Sequence, residues 1–392
     1  MKRLSAVVAA VLLLCSLAGV ATVSAAESPY EVNVLVPMTG GGAFLGKSYQ
    51  EALTALENVV NGSGGIKGRP LKFVVSDSQT SGQGGLQIVN GLIAKHVALF
   101  IDGGPSPVCS STMPIVENAG PLDYCLSPVI TPPSRGYVFS ASASANDLAA
   151  VAVRYLRNRG WKRIAMIAST DSTGQAYERA IAAALARPEN RDVALVASEH
   201  FNATDLSVTA QLARIQAAKP AALMSWATGT PLGTVLHGLK DAGYDVPVVT
   251  SNSNMTYAQM TAYQTVLPRE FYFTSARGLL PEDTLKGPLR EAQTVYVNAF
   301  RKLNIRPDIG HSLIWDPAMV FVDALRHVGP AATAEQLHAY VLSLHSWVGT
   351  NGVYDFAAGD QRGLGDGSIV VARWNPARST WLQVSAPKGA LH

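Results

Sequence analysis

The residues best able to do chemistry lie in three places. Gly41-Gly42-Ala43-Phe44-Leu45-Gly46-Lys47-Ser48 has the spacing of a glycine-rich phosphate loop, after an apolar run and before a helical pattern. Val97 to Asp102 resembles the carboxylate-ended strand that accompanies such a loop. Together they would cradle a nucleoside triphosphate. The N-terminus carries an export signal, which argues against that ligand, and a glycine-rich turn meets so short a pattern by chance. The dinucleotide fingerprint fails as well, because Gly40, Gly42 and Leu45 leave the third glycine one place late. The second place is Asp102 to Thr131. Ser106 there reads as the cap of a helix with Pro107 at its first position, and a free helix N-terminus after a parallel strand suits an anion. Its bland reading is a pair of polar turns. The third is Asp171, a possible acid or base that reads more simply as a turn or helix-start residue.

Signals for hydrolysis or metal chemistry are absent. There is no Gly-x-Ser-x-Gly elbow and no His-Glu-x-x-His helix. The eight histidines are scattered, and His200, His237 and His311 lack ligand spacing. Each reads as a surface or satisfied core residue. Trp226 and Trp315 read as core rather than as stacking platforms. The expectation is a non-enzymatic protein with no cofactor and no metal.

These residues need a scaffold, and the hydrophobic rhythm supplies one. Glu31–Pro37, Leu71–Ser76, Val97–Ile101 and Leu122–Leu126 read as strands, alternating with helical patterns at Lys47–Asn61 and Gly85–Ala94. Ser127 to Pro133 holds three prolines and cannot be helical. Tyr137 to Ala145 is polar and small, and reads as a crossing between lobes. The rhythm restarts with helix 147–159 and strand 163–168, and alternates through strands 193–198, 221–226, 246–250 and 271–275. Two long helical patterns at 284–303 and 313–328 follow, then strand segments at 347–356 and 367–374. Alternation of this kind gives parallel sheets with helices on both faces. At 392 residues the chain is too long for one ordinary core, so two α/β lobes are expected.

Met1 to Ala26 reads as a secretory leader: Lys2-Arg3 is the positive start, Ala6 to Leu14 opens the apolar run, and Ser24-Ala25-Ala26 is a small-residue cleavage site. Leu14-Cys15 lacks the small residue that a lipidated cysteine needs before it. No other run is long and apolar enough for a membrane span, so the expected product is soluble and exported. Losing Lys2 and Arg3 leaves 29 basic against 28 acidic residues, which gives nucleic acid or an anionic membrane surface nothing to grip. Cleavage also removes Cys15. Cys109 and Cys125 remain, in a compartment that permits disulfides. A bridge between them is expected, contributing roughly 3 kcal/mol; two free buried thiols are the alternative.

Laid out in this order, the chain resembles the type I periplasmic substrate-binding proteins of ABC importers, the leucine/isoleucine/valine-binding family. The resemblance rests on Val34-Leu35-Val36-Pro37-Met38-Thr39-Gly40, on Asn61-Gly62-Ser63-Gly64-Gly65-Ile66-Lys67-Gly68, on the Ser106 and Ser127-Pro128 strand exits, on Asp171-Ser172-Thr173-Gly174-Gln175 and on Gly352-Val353-Tyr354-Asp355-Phe356. It spans nearly the whole mature chain. It implies two doubly wound α/β parallel-sheet lobes joined by a three-crossing hinge, with a ligand between them and closure on binding. The implied lobes are 27–144 with 276–346, and 145–275 with 347–392. The Walker-like turn becomes the family's first loop.

Carried over by position, the resemblance makes Ser106 the serine that takes a ligand carboxylate, with Val129 and Thr131 beside it. Leu45 and its neighbour Phe44 flank the ligand. Thr173 and Thr228 fall where aromatic residues are common, and Asn252 falls where amino-acid binders place an acid against the ammonium. A buried ammonium facing Asn252 would lack its carboxylate. Thr228-Gly229-Thr230-Pro231 and Cys125-Leu126-Ser127-Pro128 further resemble members associated with aromatic acids. The expected function is therefore a periplasmic, monomeric solute-binding protein that delivers a small organic acid to membrane permease subunits. A branched-chain or other apolar amino acid is the alternative ligand. A sensing module and a nucleotide-dependent enzyme are more distant readings.

Overall fold

The computed structural model describes residues 28–141, 143–280 and 285–392. The expected leader at Met1–Ala26, with Cys15, lies outside them. In the first lobe β1 (Tyr30–Val36), β2 (Leu71–Asp77), β3 (Leu99–Asp102), β4 (Leu122–Cys125) and β5 (Val138–Ser140) form a parallel sheet of order β2-β1-β3-β4-β5. Between them run α1 (Ala43–Gly62), α2 (Gly82–Ala94) and α3 (Ser106–Val116). Alternation within the strands sets the two faces: Leu99 and Ile101 point to one core, Phe100 to the other. The segment around Tyr137, expected as a crossing, contributes β5 first, because Tyr124 and Phe139 pair in register and pack ring against ring.

The second lobe begins at α4 (Ala145–Asn158), whose Ser144 cap accepts the Asp147 N–H at 3.1 Å. It continues with β6 (Arg163–Ser169), α5 (Ser172–Leu185), β7 (Ala194–Phe201), α6 (Thr209–Ala217) and β8 (Ala222–Trp226). Then come α7 (Thr230–Asp241), β9 (Val248–Thr250), α8 (Tyr257–Ala262) and β10 (Phe271–Ala276). The chain returns to the first lobe for α9 (Pro288–Arg301), α10 (Ile309–Val328), α11 (Ala334–Ser343) and the hairpin β11 (Trp347–Val348) with β12 (Val353–Tyr354). It ends on β13 (Ile369–Asn375) and β14 (Thr380–Gln383), both antiparallel additions to the second sheet, whose order is β14-β13-β10-β9-β8-β6-β7.

Helix α10 lies along α1, and Gly310 permits it, since a Cβ there would press on the Ser48 side chain. Asp308 caps α10 reciprocally with His311. His311 is a satisfied core residue, as its isolation in the sequence implies. Burial alone would lower its imidazole, but bonds to Asp308 (2.8 Å) and Glu51 (3.0 Å) outweigh that and raise it.

The three crossings follow β5, follow β10 and precede β13. The last lies later than the sequence division at residue 347. Phe356 packs on Phe139, Tyr354 Oη donates to Asp316 at 2.9 Å, and Ser140 N–H donates to the Gln361 carbonyl at 2.9 Å. Residues 347–362 therefore belong with the first sheet. A two-residue strand pair carries no sequence mark of the lobe it serves.

Candidate functional site

In each lobe strand order reverses beside the first strand, at β1/β3 and at β6/β8, and this is where open α/β sheets form their crevice. The strand exits of the two lobes face each other across it. They enclose a cavity of about 20 Å³. Leu45 and Tyr49 of α1, Ser106 of α3, Ser127 after β4 and Leu313 of α10 wall it from one side, Thr228 and Ser253 from the other. None of the described residues around this cavity is charged.

Ser106 stands at the start of α3, one place inside the helix; Pro105 is the cap, so the sequence reading is one residue late. Ser127 Oγ donates to Ser106 Oγ at 3.0 Å, and the Val129 N–H donates to Ser127 Oγ at 3.3 Å. Behind them the loop is tied inward. Gly103 N–H donates to the Leu35 carbonyl at 2.9 Å, and Gly104 N–H to Asp102 Oδ1 at 2.8 Å. Asp102 also accepts from Thr112 Oγ1 at 2.7 Å. Burial pushes its carboxyl up to about 6, against the pull of those bonds. The site thus offers fewer open amides than the glycines suggest. What it offers an anion is two hydroxyls and the N-terminus of α3.

The expected disulfide is present. Cys109 of α3 and Cys125 of β4 are bonded, with Cα atoms 6.0 Å apart. It pins α3, and with it Ser106, to the neighbouring strand. Next to it lies Asp123, fully buried, with neither carboxylate oxygen hydrogen-bonded among the described residues. Burial raises its carboxyl well above the usual range, and the nearby Asp102 adds to this.

Of the site residues expected from sequence, the cavity brings together Leu45, Ser106 and Thr228. Phe44 is half-buried and meets the edge of Tyr263 at 5.9 Å, a contact between lobes. Val129 packs against the core of the second lobe, and Thr131 is exposed. Both lie off the cavity because the chain after Pro128 is held from behind. Thr173 is buried at the start of α5, its N–H donated to Asp171 at 3.0 Å. Asp171 is the α5 cap, matching its plainer reading. Asn252 is buried in the turn Asn252–Asn254, where the next residue, Ser253, reaches the cavity instead. The second lobe therefore meets this cavity with the hydroxyls of Thr228 and Ser253 rather than with the Asn252 amide. Trp226 stacks on Tyr177 at 4.2 Å in the core.

The phosphate-loop pattern is not a loop. Ala43 to Gly46 form the first turn of α1, and Gly46 is required there because a Cβ would overlap the Pro37 carbonyl. Lys47 is exposed and lies 3.9 Å from Glu51. Among the described residues no group of histidine, cysteine and carboxylate side chains is placed to hold a metal, and no helix is long and apolar enough to cross a membrane.

Sequence reasoning missed Arg362. It is 7 % exposed, forms no ion pair among the described residues, and donates to three backbone carbonyls. Nη2 reaches Pro128 at 3.0 Å and Ile130, and Nη1 reaches Ala141 at 3.4 Å. Burial pushes the guanidinium down to about 10, with Asp360 and Asp147 opposing from a distance. Gly359-Asp360-Gln361-Arg362 looks like a surface turn in sequence, so no signal marked it.

The two lobes touch outside the cavity. Gly229 has φ +76° and lies under the Gly41 carbonyl, which a Cβ would strike; Thr230 N–H donates to that carbonyl at 3.4 Å. A cavity of about 20 Å³ holds about one water. A larger guest has no room in it with the lobes placed as they are here. Two doubly wound lobes hinged by three crossings over such a cavity define a bilobal solute-binding clamp.

Comparison agrees. A family model described as periplasmic binding protein matches residues 29–379, and the chain belongs to that family. No curated protein gives a significant sequence match. Among solved structures, a type 1 periplasmic binding protein from Bordetella pertussis is similar at TM-score 0.79 and 19% identity, covering 91% of this chain and 99% of the other. The branched-chain amino acid transporter substrate-binding protein of Streptococcus pneumoniae, in complex with isoleucine, gives 0.74 and 14%, covering 93% and 98%. A fatty acid ABC transporter substrate-binding protein from Thermomonospora curvata gives 0.75 and 17%, covering 92% of each. At these identities the likeness is one of type I fold.

Proposed function

We propose that this chain is the exported solute-binding component of an ABC importer and takes a small organic acid, an aromatic carboxylate in first place, between its lobes. It acts without catalysis, as a periplasmic monomer cleaved near Ala26, and hands its ligand to membrane permease subunits. The observation that carries the ligand class is the uncharged lining of the enclosed cavity. Ser106, Ser127 and the start of α3 suit one carboxylate, and the apolar faces of Leu45, Tyr49, Leu126 and Leu313 suit a ring. An α-ammonium would be buried beside Thr228 and Ser253 with no carboxylate against it, a deficit of roughly 3 kcal/mol or over a hundredfold in affinity. Calorimetry on the mature protein tests this: benzoate or 3-phenylpropanoate should bind, and leucine, valine and phenylalanine should bind at least about a hundredfold more weakly. Tight leucine binding with no response to aromatic acids would restore the amino-acid alternative, which the same apolar lining supports.

A further inference from the structure

Pro105 and Thr228 wall not only the enclosed cavity but also a chamber of about 580 Å³ outside it, between the same two lobes. A ligand longer than the inner space extends into the outer chamber, which adjoins it at Pro105 and Thr228. That chamber has its own chemistry. Thr204, Thr228 and Thr230 line it with hydroxyls that make no hydrogen bond among the described residues. Asp171 and Asp205 add carboxylates, and no basic residue faces them there. Asp171 Oδ1 accepts from Ser169 Oγ at 2.7 Å and from the Thr173 and Gly174 N–H groups, while its Oδ2 accepts nothing from the described residues. Asp205 accepts from Asn202 N–H at 2.8 Å and from its side-chain amide at 3.3 Å. Asp171 Oδ2 and the threonine hydroxyls can accept from a ligand donor, and the fixed charge is negative.

We infer that the ligand is an elongated monocarboxylate whose far end carries a hydrogen-bond donor, and that the outer chamber rejects a second carboxylate at that end. This rests on the organic-acid reading and refines it. The donor can be a hydroxyl, an amide N–H or an ammonium, because all three meet the same acceptors. The distance between the two ends decides the outcome: an ammonium beside the carboxylate finds no acid, whereas one at the far end finds two.

Four probes separate these statements in calorimetry: 3-phenylpropanoate and its 4-hydroxy, 4-aminomethyl and 4-carboxy derivatives. Relative to the parent acid, the hydroxyl should bind about fivefold tighter and the aminomethyl about tenfold tighter. The 4-carboxy compound should bind at least about tenfold more weakly. Asp205→Asn should recover several-fold affinity for the 4-carboxy compound relative to the parent acid. Equal affinities across the four, or no recovery in Asp205→Asn, would overturn the inference while leaving the organic-acid reading in place. Binding of leucine with none of the four would overturn both.

Discussion

Replacing Arg362 with methionine tests what the buried guanidinium does at the hinge. Its donors fasten the exit of β4, at Pro128 and Ile130, to the first crossing at Ala141, and its own backbone leads into the last crossing. Two opposing quantities follow from the geometry. The charge is unfavourable where it sits: a guanidinium pushed down from its ordinary value to about 10 by burial corresponds to about 3 kcal/mol against the charged form. The folded chain releases this proton more readily than the unfolded one, so the penalty is in force at neutral pH and fades only above about pH 10. Arg362→Met removes it. The same change orphans carbonyls. Pro128 keeps the Ala145 N–H at 2.9 Å, but Ile130 and Ala141 lose their donor, at about 1–3 kcal/mol each. The balance is a net loss of about 1 kcal/mol, far below the several kcal/mol of a broken buried ion pair, because neutral carbonyls rather than a charge are left behind. Urea unfolding at pH 7 measures it. Small-angle scattering of the ligand-free variant should also show a larger radius of gyration than the parent, since the first and last crossings are no longer tied. An unchanged midpoint with unchanged scattering would refute the clamp, and a loss above about 5 kcal/mol would refute the claim that the charge is unfavourable there.

Two further outcomes are expected. Replacing both Cys109 and Cys125 with serine should lower stability by about 3 kcal/mol in urea unfolding, with the parent losing a similar amount on reduction; two reactive thiols in native, unreduced protein would refute the bridge in the exported molecule. Asp123→Asn should stabilise the protein by about 1–3 kcal/mol at pH 8 and little at pH 4. The sign follows from a folded-state carboxyl raised above its unfolded value near 3.9: the fold holds a proton that the unfolded chain has lost, so stability declines as pH rises through that interval. Asp102 adds to the decline up to about pH 6. Thermal unfolding across pH 4 to 8 checks this, and identical profiles for parent and variant would sink it.

The sequence alone determined the lobes, because local periodicity is a local property. Strands such as Arg163–Ser169 are buried on both faces and read as unbroken apolar runs, and a cap such as Asp171 lies within three residues of the amides it serves. Short elements escaped where few residues carry the pattern, as at Val138–Ser140. The cysteine pair was legible because only two remained to be joined. The site was legible only in part. Ser106 and Thr228 closely follow strands, and Leu45 lies in the first turn of the helix after β1, so their position in the crevice is set by topology. Whether Asn252 or Ser253 faces the cavity depends on the rotation of a single tight turn, which composition does not encode. The pairing of Phe44 with Tyr263, the seat of Gly229 under Gly41 and the hold of Arg362 on Pro128 join residues far apart in the chain. Only tertiary packing decided those contacts, of one lobe on the other for the first two and within the first lobe for Arg362, because each requires two backbones whose separation no local propensity sets.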